Sequence, residues 1–285
     1  MAQPGLGKSQ FLGNIAYNWL KQNKKVLIVS LEMSEQMYSM RISSLISGSN
    51  INTLKNSTDR LKRVVTQLKE LYPNSGLIIK EYPTGTCTAA GLKQFIRKLK
   101  ESENFEPDII MVDYLNIMKP NGNPSGLTLY EKGIAVSEEL RALSTELKRP
   151  IVAPIQTARR NGGYAREDID MDSASESSGI VATADGILAL FQSPEERING
   201  CLNAKMIKNR LGGYIGSIFR MQVDYSTLRI TDWPDDEDDS MKSPEEIKRR
   251  EEKEAKLAKL NSTSSNKSEQ DLDELNKSIE GLREL

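Results

Sequence analysis

Residues Ala2-Gln-Pro-Gly-Leu-Gly-Lys-Ser9 form a glycine-rich turn that opens directly onto an apolar-periodic run from Phe11 to Leu20. That succession is the pattern of a phosphate-binding loop set on a helix N-terminus. Gly5 and Gly7 let the backbone curl so that its N–H groups point inward at a polyphosphate. The helix end behind them favours negative charge. Pro4, Gly5, Leu6, Gly7, Lys8, Ser9 and Gln10 are therefore the candidate nucleotide-binding residues. Lys8 is expected on the β and γ phosphates, and the Ser9 hydroxyl on a magnesium ion. The chain departs from the pattern twice. Ala2 stands where G-x-x-x-x-G-K-[ST] begins with glycine, and only Met1 precedes the motif. Such a loop normally follows a buried strand, so the reading is of a fragment or of a chain whose partner supplies that strand.

Downstream, strand and helix signals alternate. Val26–Leu31, Leu77–Glu81, Ile109–Val112 and Ile151–Ile155 are short apolar runs suited to buried strands. Helices are expected from Ser34, with Met37, Met40, Ile42 and Leu45 on the buried side, and over Asp59–Leu71, Leu92–Lys100 and Tyr130–Leu147. Three further strand signals follow a polar stretch, at Ile187–Phe191, Leu202–Lys208 and Ile215–Val223, with a fourth near Leu228–Trp233. The pattern predicts an α/β fold: a mostly parallel, twisted sheet with helices on both faces, finished by antiparallel strands. This domain is expected over residues 1–234. Residues 235–285 are rich in charge, Ser and Asn and are expected to be largely disordered. Within them Leu272, Leu275, Ile279 and Leu282 recur at helical spacing. A short amphipathic helix there either docks on a partner or forms only transiently.

The net charge of −1 conceals a split: the segment from Asp235 onward carries 16 acidic and 10 basic residues, net −6, leaving +5 on the body. A basic body with an acidic tail suits an anionic partner, and an ordinary solvated surface suits the numbers equally well. Histidine is absent, which removes imidazole acid–base chemistry and most zinc sites, leaving carboxylates, Lys and Arg. Cys87 and Cys201 suggest no disulfide framework, and no apolar run approaches the roughly 18 residues of a membrane span. A cytoplasmic setting without membrane contact is expected.

Four further positions complete the candidate site. Asp113 closes the run Ile109-Ile-Met-Val, where a strand would deliver a carboxylate to the phosphate site and orient magnesium. Glu32 follows the first strand, and a carboxylate there could take the proton of a water attacking the γ-phosphate; Glu35 better fits a helix-entry role. Gln156 ends another strand, where its amide could sense the γ-phosphate. Lys208 and Arg210, one residue apart beside the turn Leu211-Gly-Gly213, point to the same side of an extended chain. They read either as a cationic finger against a γ-phosphate or as a solvated basic hairpin.

Together these residues resemble the C-terminal motor domain of hexameric DnaB-type replicative helicases, within the RecA-like P-loop ATPases, and most of all those of T-even-type phages. The resemblance covers nearly all of residues 1–234. It rests on the Ala-initiated loop at Ala2, Ser30-Leu-Glu-Met, Asp113-Tyr-Leu, Gln156, Ser173–Gly179 with Ala184-Asp185, and Lys208-x-Arg210 with Gly213 and Gly216. It implies a homo-oligomeric ring of six that binds ATP with Mg2+ and hydrolyses it at subunit interfaces while moving 5′-to-3′ on single-stranded DNA. It further implies that Lys208 and Arg210 act on the neighbouring subunit's ATP, and that a primase and a helicase loader are partners. Arg159, Arg160, Asn161 and Gly162 are the candidate DNA contacts. The family's N-terminal domain and linker helix have no counterpart in this sequence, so a split or truncated helicase with a separate N-terminal fragment is expected. A RecA- or KaiC-like ATPase that does not unwind DNA, or a weakly active binding module, are the competing readings.

Overall fold

The computed structural model describes residues 1–123, 125–156, 178–213 and 215–234. The candidate DNA contacts Arg159, Arg160, Asn161 and Gly162 and the tail helix lie outside the described residues. Met1–Asp232 packs as one unit.

Its first half builds a parallel sheet of order β2-β1-β3-β4 from β1 (Lys25–Ser30), β2 (Gly76–Glu81), β3 (Ile109–Asp113) and β4 (Ile151–Val152). β1 and β3 are the central strands. All five residues of β3 are buried, as are the last five of β1, which explains their unbroken apolar runs. Alternation along them splits the core. Leu27, Val29, Ile110 and Val112 join Leu92 and Ile96 of α4 (Ala89–Glu103) and Val136 and Leu140 of α5 (Leu129–Leu147) in one cluster. Val26, Ile28 and Met111 point the other way, toward the side where α1 (Lys8–Leu20) and α2 (Glu35–Ser47) bury Leu12, Ala16, Ile42 and Leu45.

Helix α2 starts as its sequence announces, with the Ser34 hydroxyl accepting from the Met37 N–H at 3.2 Å. Its buried stripe is not the expected one. Met37 and Met40 are 47% and 38% exposed, whereas Tyr38 is 1% exposed and aligns with Ile42 and Leu45. The apolar count along α2 permits either phase, and in the structure it is Tyr38 that turns inward, beside the Asp113 carboxylate at the end of β3. The helix ends on Gly48 in the left-handed region (φ +61°), where an added Cβ would lie 3.0 Å from the Arg229 guanidinium. That guanidinium donates to the Leu45 and Ile46 carbonyls at 3.0 and 3.2 Å, tying the helix end to β8 (Arg229–Asp232).

The second half is an antiparallel sheet of order β5-β6-β7-β8, with β5 (Gly186–Phe191), β6 (Cys201–Asn209) and β7 (Ile218–Asp224). Two short helices lie in this half, α6 (Ser178–Thr183) ahead of β5 and α7 (Pro194–Ile198) between β5 and β6; a 14-residue α3 (Thr58–Leu71) packs on α2 in the first half. β4 is shorter than the apolar run Ile151–Ile155 suggests, because Pro154 has no N–H with which to extend the ladder to β3.

The two sheets meet through the first residues of the chain. The Met1 amino group donates to the Leu188 carbonyl, the Leu190 N–H donates to the Met1 carbonyl at 2.9 Å, and the Ala2 N–H donates to the Ile155 carbonyl at 3.1 Å. Ala2 also bridges Gln156 in parallel fashion. Asn14 makes the second tie. From α1 it donates to the Leu228 carbonyl and accepts from the Ile230 N–H, both at 2.9 Å.

Replacing Asn14 with Ala leaves those two backbone groups unpaired in a buried setting, and unfolding in urea should show a loss of about 1–3 kcal/mol.

Candidate active site

The loop before α1 turns through left-handed conformations at Gly5 and Gly7 (φ +79° and +80°), and Gly7 sits at the N-cap. No side chain caps α1 and its first turn holds no acid, so its N–H groups are left for an external anion. The Lys8 ammonium folds back to the Gln3 carbonyl at 3.2 Å, in the reach of the concavity. A cleft of about 560 Å³ opens over this loop. It is lined by Pro4 through Gln10, Glu32, Arg41, Gln156, Gln192, Arg197 and Tyr225.

The parallel register explains why these groups meet. Ser30 pairs with Asp113 in the β1–β3 ladder, so both strands end at one level, and Gln156 follows β4 on the same edge. Carboxyl ends of parallel strands face the loop that begins the next crossover, which is where such sheets bind ligands. Asp113 is buried there. The Ser9 hydroxyl lies close to its carboxylate and favours the ionised form, while Oδ1 has no hydrogen-bond partner. The Tyr38 hydroxyl lies against the same carboxylate without the geometry of a full hydrogen bond. Burial raises the Asp113 carboxyl, aided by Glu32 and opposed by Ser9 and Lys8. Burial likewise lowers the Lys8 ammonium, opposed by Glu32 and Asp113. Each charge is thus poorly solvated, and the pair stands ready for a ligand that carries both a cation and phosphates.

Those residues fit a hydrated magnesium ion. Ser9 and Asp113 would hold it, the orphaned Oδ1 through a water, and no cluster of three acidic, Cys or His ligands occurs among the described residues. Magnesium characteristically keeps several waters and binds through one or two protein groups plus phosphates.

Glu32 is exposed and lines the cleft beside Lys8 and Ser9. Glu35, three residues on, is engaged elsewhere. It accepts from the Glu81 N–H at 2.9 Å and from Lys80 at 3.1 Å, and these contacts hold its carboxyl low. Glu32 thus stands at the cleft, and Glu35 is held at the helix entry.

Lys208 and Arg210 do not join the cleft. Both donate to the Ala182 carbonyl, at 2.8 and 2.9 Å, so they do share one side of β6. Arg210 also pairs with Asp185 at 3.3 Å, a carboxylate shared with Arg141 at 2.8 Å. Neither cation lines the phosphate loop of its own chain.

Several cleft residues carried no sequence signal that singled them out. Arg197 donates to the Gly5 carbonyl at 2.9 Å and lies 5.6 Å over the Tyr225 ring. Gln192 donates to the Tyr225 hydroxyl at 2.9 Å. An aromatic face braced by a guanidinium, with Leu202, Val223, Leu228 and Ile230 around it, offers a flat apolar platform suited to a purine ring. Arg197 stands on α7, whose start is closed by a Ser193–Glu196 capping box, a signal that could have announced this helix and that carries nothing pointing to the loop.

Comparison with known proteins decides the family. Residues 1–226 match the model of the DnaB-like helicase C terminal domain. The chain belongs to that family. It is 30% identical over 220 residues to a DnaB-like replicative helicase of Enterobacteria phage T4, covering 74% of this chain and 45% of that protein. It is also 30% identical over 196 residues to the replicative DNA helicase DnaB of Geobacillus stearothermophilus, covering 67% and 42%. The chain thus spans less than half the length of these curated relatives. In fold it matches a solved ATPase domain with a TM-score of 0.67 at 17% identity, covering 81% of this chain and 82% of that one. A DnaB-like replicative helicase studied for its interactions with primase matches with a TM-score of 0.68, also at 17% identity, covering 81% and 57%. The α/β class and RecA-like architecture expected from the sequence agree with both.

Proposed function

We propose that this chain is the motor of a replicative DNA helicase, binding ATP with Mg2+ in the cleft over Pro4–Gln10 and hydrolysing it between subunits of a homo-oligomeric ring. The observation that carries this reading is the buried Asp113 close to Ser9, with an orphaned oxygen beside Lys8 and the uncapped start of α1.

On this reading the loop N–H groups and Lys8 neutralise the β and γ phosphates and hold them in line for displacement. Ser9 and Asp113 would hold magnesium, which would supply positive charge against the phosphates. Glu32 orients a water against the γ-phosphorus and accepts its proton as the new O–P bond forms. The bond from the γ-phosphorus to the β–γ bridging oxygen breaks, and ADP keeps the electron pair. Gln156, between the phosphates and the residues that follow it, is positioned to report γ-phosphate occupancy toward the DNA. Arg210, with Lys208 beside it, is assigned to the neighbouring subunit's phosphates, because both lie away from their own chain's cleft. DNA contact is assigned to Arg159, Arg160, Asn161 and Gly162. Six subunits, 5′-to-3′ movement, a primase, a loader and a separate N-terminal fragment belong to the same proposal, as does work in the cytoplasm, that of the host for a phage-encoded chain.

Light scattering with Mg2+ and a non-hydrolysable ATP analogue, followed by ATPase assays on single-stranded DNA, tests it. A nucleotide-dependent ring whose turnover rises with DNA is expected; a chain that binds no nucleotide discards it. Lys8→Ala should weaken binding of a fluorescent ATP analogue by tenfold or more, removing a charge-assisted contact worth about 1.5–3 kcal/mol. Arg210→Ala should leave that affinity unchanged and lower turnover by about a thousandfold or more. Unaltered turnover in that variant would dismiss the finger.

A further inference from the structure

Two buried polar atoms beneath the cleft lack partners, and they belong to neighbouring side chains. Tyr38 is 1% exposed and Asp113 is 2% exposed, and neither the Tyr38 hydroxyl nor Asp113 Oδ1 has a hydrogen-bond partner. One is a donor and the other an acceptor, and the hydroxyl lies against the carboxylate. A buried polar atom left dry and unmatched costs stability. Matching these two to each other removes both penalties at once.

The backbone brings the two groups together by a short, firmly tied route. Ser30 pairs with Asp113 in the β1–β3 ladder, and its hydroxyl donates to the Met33 carbonyl at 2.6 Å and accepts from the Met33 N–H at 3.2 Å. Ser34 then caps α2, and Tyr38 stands one turn in, its N–H on the Ser34 carbonyl at 3.0 Å. The turn held in this way carries Glu32. Tyr38 shares its helix face with the buried Ile42 and Leu45, which keeps the ring inward. Burial, and then the Asp113 charge, pushes the phenol well above its ordinary value, so the hydroxyl keeps its proton to donate. Arg41, three residues on and lining the cleft, opposes that shift.

We infer that Tyr38 is a positioning residue for the metal carboxylate: its hydroxyl donates to Asp113 Oδ1 and fixes the direction in which that carboxylate faces the phosphate loop. A carboxylate oxygen has two lone pairs, so Oδ1 accepts the phenol and a metal-bound water together. Hydrogen bonds to ligating carboxylates orient them, and losing one costs about 10–100-fold in metal affinity. The same bond ties α2, and the Glu32 turn ahead of it, to the end of β3. The proton acceptor and the metal carboxylate thereby keep one spacing. What the oriented carboxylate holds rests on the magnesium–nucleotide reading proposed above; the contact itself does not.

Tyr38→Phe removes the hydroxyl and keeps the ring. Without ligand, it should lower the urea midpoint of the full chain. In an Asp113→Ala background, where the acceptor is gone, it should leave the midpoint unchanged or raise it. With a fluorescent ATP analogue as probe, Tyr38→Phe should raise the Mg2+ concentration for half-maximal binding by about tenfold, while binding in EDTA stays that of the parent chain. A ring that only fills space would move neither the difference between backgrounds nor the magnesium requirement on its own. Three results overturn the assignment: an equal midpoint shift in both backgrounds, a higher midpoint for Tyr38→Phe in the parent chain, or an unchanged magnesium requirement. A parent chain that binds no nucleotide removes the function proposed above, and the unfolding comparison, made without ligand, still decides the contact.

Discussion

Ala2 is the point through which the molecule is held together. Its N–H reaches Ile155, and its neighbour Met1 reaches Leu188 and Leu190, so a single dipeptide joins the parallel half to the antiparallel half. The side chain of Ala2 is buried in the small apolar cluster of Leu190, Leu202, Ala204 and Val223. Three residues later the chain enters the glycine turn. The position of the phosphate loop is therefore set by hydrogen bonds to Ile155, just beyond β4, and to β5. A larger residue in place of Ala2 would crowd that cluster, so the site accepts only a small side chain.

The same junction organises the electrostatics. α1 begins where the dipeptide ends, β1 and β3 finish beside it, and so Lys8, Ser9, Glu32 and Asp113 share one concavity although they are distant in sequence. Burial weakens the charged form of Lys8 and of Asp113 alike. A site that desolvates opposite charges without letting them form an ion pair keeps both available, at a cost in stability that a phosphate with its counter-cation offsets.

Much of this was legible from residue types. The buried runs of β1 and β3, the cap at Ser34 and the end of α5 before Arg149-Pro150 all follow from local rules, because both faces of those strands are covered and those helix ends carry their own signals. Lys8, Ser9, Glu32, Asp113 and Gln156 could be read because each stands at the end of a strand or the start of a helix, where the topology leaves few places to go. Tyr38, Arg41, Arg197 and Tyr225 could not. They reach the site from a helix face, a short helix and a turn, through contacts more than a hundred residues apart in the case of Arg197 and Gly5. Periodicity also misplaced Met37 and Met40, since an apolar residue on an exposed helix face obeys the same spacing as one in the core.

Arg210 shows how the proposed interface chemistry is reconciled with a chain standing alone. Its guanidinium bonds to the Ala182 carbonyl and shares Asp185 with Arg141, and the Asp185 carboxyl is held low by Arg141 first and then by Arg210. Two cations on one carboxylate leave net positive charge at this edge, with Lys208 alongside and its ammonium pushed down by partial burial and by Arg210. All of these groups are substantially exposed, so the pairing with Asp185 is weak and readily exchanged. A neighbouring subunit's polyphosphate would offer Arg210 more charge than half of a shared carboxylate does, while the Ala182 contact and Arg141 keep the base of the finger in place. Held in this way, Arg210 is the cation that the proposed function assigns to a neighbouring subunit's phosphate.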